Sequence, residues 1–354
     1  MAVQEIDQAR AMEFGGRLAG TVNGAMLALA ISVGHRTGLY EKLAELEPST
    51  SAEIAEQAGL QERYVREWLA GQLAGGIVEY DPEAATWWLP REHAASLTRA
   101  AGANNLGILA SAVSLFGEVE DDVVQAFREG GGVPWSRLVR VQKWQPELSY
   151  AVFSDLDVIL GIVPDLVERL REGIDVVDLG CGTGHAATRI ADAFPASRVL
   201  GIDKAVTSLA IAEAEADRLG LANARFEQRD AGEIEPGSAD LVLAFDVIHD
   251  LAQPYETLRR IRESLRPGGV FLMVELALSD RPEENVGHPF AAALYTVSMF
   301  HCMTASLSEH GEGLGLAWGE SRIRPALAEA GFTEVEKHSL ELDPLDDYYV
   351  VRAD

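Results

Sequence analysis

Cysteine is nearly absent from this chain: Cys181 and Cys302 are the only two in 354 residues. A disulfide framework is excluded, and a reducing cytoplasm is the expected setting. Positive charge is scarce as well. Lys and Arg total 29 against 56 Asp and Glu, and only Lys42, Lys143, Lys204 and Lys337 are lysines. A formal charge of −27 repels phosphate backbones and anionic lipid, so neither nucleic acid nor membrane is an expected partner. The most apolar early stretch, Ala25 to Val33, falls far short of the ~20 residues that span a bilayer. Met1 to Glu5 lacks the basic region and apolar core of a signal peptide. Internal repeats and collagen-like periods are missing too. What remains, 47% apolar and 24% charged, is ordinary globular composition, and ~150 residues per domain makes two domains the expectation.

The first hundred residues read as helices followed by a hairpin. Thr50-Ser51-Ala52-Glu53 is a capping box opening a short helix that ends at Gly59. A second helix, about Glu62–Leu73, carries Val65, Trp68, Leu69 and Leu73 on one face. Two short strands, Ile77–Tyr80 and Thr86–Leu89, flank a turn at Asp81-Pro82. This order predicts a winged helix-turn-helix. DNA binding needs a net basic face, yet residues 1–100 hold 8 basic and 14 acidic residues. Dimerisation and roofing of a pocket are therefore the expected uses. Residues 101–172 read as a helical connector and pocket wall, broken near Gly130-Gly131-Gly132 and Pro134.

From residue 173 the pattern alternates strands with helices, which predicts a mostly parallel α/β sheet. Five strands in series and a closing pair near the end make seven, a Rossmann-like sheet. The first strand ends in Asp178-Leu179-Gly180-Cys181-Gly182-Thr183-Gly184. Such glycines permit a tight strand-to-helix turn and close approach by a ligand. The spacing is G-x-G-x-G, with His185 where a dinucleotide fingerprint has glycine. Asp178 beside the loop disfavours a pyrophosphate and suits a cation. Asp203 closes the second strand, where a carboxylate can accept both ribose hydroxyls of an adenosine. Asp230-Ala231 follows the third strand and Asp246 the fourth.

Val176–Gly184, Gly201–Asp203, Asp230, Ala239–Asp250 and Pro267–Gly269 together resemble the class I S-adenosylmethionine-dependent methyltransferases, over about residues 150–354. The resemblance implies S-adenosylmethionine as cofactor. It places the methionine part at Gly180, Gly182 and Gly184, the ribose at Asp203 and the adenine at Asp230 and Ala231. Asp178 and Asp246 complete an acidic edge suited to a cofactor with a sulfonium and an ammonium. His249-Asp250-Leu251, Leu258-Arg259-Arg260-Ile261 and Glu275 further resemble the winged-helix small-molecule O-methyltransferases. That likeness implies a homodimer, His249 as general base and Glu275 as its support, with Glu320 loosely placed as a second glutamate. Leu251 departs from the group, which prefers tryptophan there. N- or C-methylation of a small metabolite, with His249 only orienting it, stays open. So does a ligand-sensing regulator of another class.

Residues 285–332 also resemble a bacterial group of winged-helix methyltransferases with unassigned substrates. Tyr295, Met299 and Cys302 fall at helical spacing there and are expected to line the acceptor pocket, with His301 beside them. Cys181 reads as a small residue of a tight loop. No Cys/His cluster has ligand spacing, so no metal is expected.

Overall fold

The computed structural model describes residues 6–141, 144, 156–341 and 343–353. They fall into two compact units divided between Gly117 and Glu118. The connector expected over 101–172 is split by that division, its first part clustering with the N-terminal unit.

In the first unit, Asp7 caps a 30-residue helix, Gln8–Thr37, by accepting from the Ala9 and Arg10 N–H groups. This helix is long and apolar enough, by length and composition, to cross a membrane. That corrects the argument from the short Ala25–Val33 run: helical continuity joins Leu18 and Val22 to it. Helices Leu39–Glu45, Ser51–Ala58 and Glu62–Ala74 follow, then strands β1 (Glu79–Asp81) and β2 (Thr86–Trp88), which pair antiparallel. The expected capping box is present, Thr50 Oγ1 accepting from the Glu53 N–H while Glu53 accepts from the Thr50 N–H. Tyr40, Ile54, Leu69 and Trp68 form the core of this winged-helix unit. The Trp68 indole N–H donates to the Ala30 carbonyl at 2.7 Å, and the Tyr40 hydroxyl donates to Gln72 at 2.6 Å, so the buried polar tips are satisfied.

The second unit is built on seven strands: β3 (Asp175–Leu179), β4 (Arg198–Asp203), β5 (Ala224–Gln228), β6 (Ala239–Phe245), β7 (Leu265–Leu276), β8 (Val335–Leu340) and β9 (Asp343–Arg352). Their order is β5-β4-β3-β6-β7-β9-β8, all parallel except β9, which runs antiparallel to both neighbours. The central strands are apolar on both faces because helices cover both. Val177, Val242, Phe271 and Met273 pack on one side, and Val176, Leu241, Leu243 and Leu272 on the other. Arg266–Gly269, which includes the Pro267–Gly269 motif, lies inside β7. Its pairing with β6 jumps from Ala239↔Leu265 to Leu241↔Val270 across it. The strand order reverses between β3 and β6, and ligands of such sheets bind at the carboxyl ends of strands flanking that reversal.

Candidate active site

The glycine loop leaves β3 at this reversal. Gly180, Gly182 and Gly184 all have left-handed φ, at 64°, 52° and 70°. A Cβ at Gly184 would lie 2.6 Å from both Ala212 and Phe226, and one at Gly180 would lie 2.6 Å from Val247. Packing alone therefore demands glycine at these two. At Gly182 nothing lies within 4 Å, so its face is open. Cys181 sits between them as a packed small residue, its thiol pushed up by burial.

Four carboxylates stand at the carboxyl ends of β3, β4, β5 and β6 or just beyond them. Asp178 is buried, one of its oxygens lacks a hydrogen-bond partner, and burial pushes its carboxyl up to about 7, with Asp203 adding. Asp203 accepts from the Gly182 N–H at 2.8 Å and the Ala205 N–H at 2.7 Å, so it ties β4 to the loop. Burial raises its carboxyl, and these N–H groups offset part of that. Asp230 accepts from the Gly232 N–H at 2.9 Å and pairs with Lys204 at 2.9 Å. Partial burial pushes this carboxyl up, but those two donors outweigh it and hold it below its usual range. The Ala231 side chain is buried in the core, which leaves only its backbone for a ligand. Asp246 keeps an accessible face while protein crowds its other sides. Crowding pushes its carboxyl up to about 7 against the pull of His249, with Glu275, Asp343 and Asp250 adding. Its φ of 54° is a left-handed conformation at the strand end, of the kind that collects at functional sites.

His249 follows on the same sheet edge, 1% exposed. Its Nδ1 is 2.5 Å from Glu275 Oε2, and its Nε2 is 3.2 Å from Asp250 Oδ1. Glu275 is fully buried at the end of β7, and the Trp318 indole N–H donates to the same Oε2 at 3.1 Å. Burial opposes charge on the imidazole, but Glu275 and Asp250 outweigh it and hold His249 well above its ordinary range. Burial likewise pushes Asp250 up, and His249 overcomes it, keeping that carboxyl low.

The expected pocket residues separate. The insert breaks at His301 into helices Ala291–Phe300 and Cys302–Ser308, because His301 leaves helical geometry at φ −136° and ψ −83°. Tyr295 is exposed and accepts a hydrogen bond from Asn285 at 2.7 Å, and Met299 is half-buried. Cys302 is buried, within hydrogen-bonding reach of His249 and Asp250. Glu320 pairs with Arg324 and Lys337, which takes up the carboxylate offered as second support for His249. Trp318 supplies the second hold on Glu275 instead, a contact that no local sequence pattern signals. His249, Asp250 and Cys302 present ligating atoms within 4.8 Å of one another, a grouping that the metal-free expectation from chain spacing overlooked.

The chain matches a model of the Rv2258c-like winged HTH domain over residues 25–99 and one of a methyltransferase domain over residues 170–330. It is 34% identical over 197 residues to a trans-aconitate 2-methyltransferase of Deinococcus radiodurans, covering 54% of this chain and 67% of that protein. A second trans-aconitate 2-methyltransferase, of Methylobacterium nodulans, is 30% identical over 200 residues, covering 51% and 76%. The chain is an S-adenosylmethionine-dependent methyltransferase.

The fold of this methyltransferase recurs in human N-acetylserotonin methyltransferase in complex with S-adenosylmethionine, at a TM-score of 0.70 and 19% identity, covering 100% of this chain and 99% of that one. It recurs also in the mitomycin 7-O-methyltransferase MmcR, at a TM-score of 0.70 and 20% identity, covering 98% and 99%.

Proposed function

We propose that this methyltransferase methylates a hydroxyl of a small aromatic or polyketide-like molecule, with His249 as general base and Glu275 as its support. The observation that carries the reading is the Trp318–Glu275–His249 chain of hydrogen bonds, which ends just past β6, the strand next to the one that feeds the glycine loop. The bound cofactor supplies an electrophilic methyl group. Glu275 fixes the ring and its Nδ1 proton, so in the neutral ring Nε2, which otherwise faces Asp250, is the nitrogen that takes the acceptor's proton. A phenol titrates near ~10, so a base of raised proton affinity is well matched to it.

The cofactor assignment rests on the loop and its acids. The open face at Gly182 admits the methionine part, and the unpartnered Asp178 oxygen suits its ammonium. Asp246 adds a second carboxylate for the cationic end, while Asp203 takes the ribose and Asp230 with the Ala231 backbone takes the adenine. In each case the carboxylate retains lone pairs beyond those already used.

Asp246, Asp250 and Glu275 around His249 favour a second reading, N-methylation of an amine, in which the carboxylates draw in the ammonium form, one of them takes its proton to free the nitrogen lone pair, and the imidazole only orients the acceptor. His249→Gln separates the two. A loss of only a few-fold in turnover sinks the base role.

We read the N-terminal unit as a dimerisation module. Phe14, Leu18, Val22 and Met26 are exposed at four-residue steps on helix Gln8–Thr37, an apolar stripe suited to a second copy. Burial of Ser32, Gly34 and His35 within the unit argues against this helix spanning a membrane. On the helix at the recognition position, Arg63 pairs with Glu67 and Arg66 with Glu62, so it offers DNA no unopposed charge. A monomeric mass by light scattering at micromolar concentration overturns the dimer. The two free thiols suit a reducing cytoplasm.

A further inference from the structure

We propose that His249, Asp250 and Cys302 form a binding site for one divalent cation of the zinc class. The three donors are an imidazole nitrogen, a carboxylate and a thiol, with ligating atoms within 4.8 Å of one another. Zinc–nitrogen and zinc–sulfur bonds of ~2.0–2.3 Å span a trio of this size after a small contraction. Three protein ligands leave a fourth position open, as in sites that exchange a water or hydroxyl.

The surroundings are those of a metal-held histidine. Glu275 sits 2.5 Å from Nδ1 and is itself held by Trp318, which fixes the ring and aims Nε2 at the trio. His301 Nδ1 lies 3.3 Å from the Cys302 sulfur, placed to donate to it as a thiolate. Binding displaces the thiol proton and the Nε2 proton to solvent, and the resulting thiolate and carboxylate balance the dication. Sulfur and nitrogen donors favour zinc over magnesium or calcium. Cys302 and His301 come from the break in the insert, whereas His249 and Asp250 come from the short helical turn Ile248–Asp250 that follows β6. Only the fold therefore assembles the group.

A cation there occupies Nε2, so its consequence for catalysis, inhibition of methyl transfer, rests on the base reading above. The binding itself does not. The experiment is a cobalt(II) titration of the full chain, followed by thiolate-to-cobalt charge-transfer absorbance, with zinc as competitor. The expected result is a band that saturates at one cobalt per chain, is removed by zinc and is absent in Cys302→Ser. Glu275→Gln is expected to weaken cobalt binding ~10–100-fold. S-adenosylmethionine binding serves as the folding control for every variant. No band in wild-type protein that binds the cofactor overturns the site, and so does a band that survives Cys302→Ser. A band of the expected behaviour, with methyl transfer unimpaired by zinc, supports the site and overturns the base reading instead.

Discussion

His249 and Glu275 are 26 residues apart in sequence, yet Nδ1 and Oε2 lie 2.5 Å apart at the ends of adjacent parallel strands. Asp250 Oδ1 faces the other ring nitrogen at 3.2 Å, and the two carboxylates together favour the protonated imidazole.

Removal of the base is the first test. His249→Gln is expected to lower kcat ~10²–10⁴-fold, the usual contribution of a positioned base. Glu275→Gln should cost less, because the ring keeps its place through Asp250. Cofactor affinity by calorimetry should stay within a few-fold in both.

The pH profile follows from the raised imidazole. His249 accepts a proton only when neutral, so kcat/KM should climb as pH rises past neutrality and level off above the shifted value. Asp250→Asn removes a carboxylate that favours the cation, so the rising limb should move to lower pH. A limb that stays put or moves up contradicts this arrangement.

Cofactor binding should carry a proton signature. Asp178 titrates at about 7 in the folded protein against an ordinary value of 3.8. The folded state therefore holds a proton that the unfolded state has lost between these values, and stability without ligand should fall as pH rises through that window. A bound cation favours the carboxylate, so affinity for S-adenosylmethionine should rise with pH up to about 7 and then flatten. Calorimetry in buffers of different ionisation heat should register proton release at pH 6, diminished in Asp178→Asn. Asp246 contributes in the same direction, weakened by water at its accessible face.

The three loop glycines should not respond alike. Gly184→Ala forces a left-handed alanine, roughly 1–2 kcal/mol, and overpacks against Ala212 and Phe226, a further ~1–3 kcal/mol. Gly182→Ala bears only the backbone cost, because its face is open, and its main effect should fall on cofactor affinity. Thermal denaturation beside cofactor titration separates the two.

The alternation of apolar runs with helices, the glycine loop and the acids at Asp178, Asp203, Asp230 and Asp246 were legible along the chain. Each depends on residues close in sequence, where period and turn chemistry are set locally. The capping box at Thr50–Glu53 and the closing β8–β9 pair were legible for the same reason. The resemblance already paired Glu275 with His249, but only the fold brought Trp318 to that pair, gave Glu320 to Lys337 and Arg324, and broke the insert at His301 ahead of a buried Cys302. These are long-range contacts among buried polar groups. Their partners are fixed by strand order and helix packing, which no local run of sequence encodes.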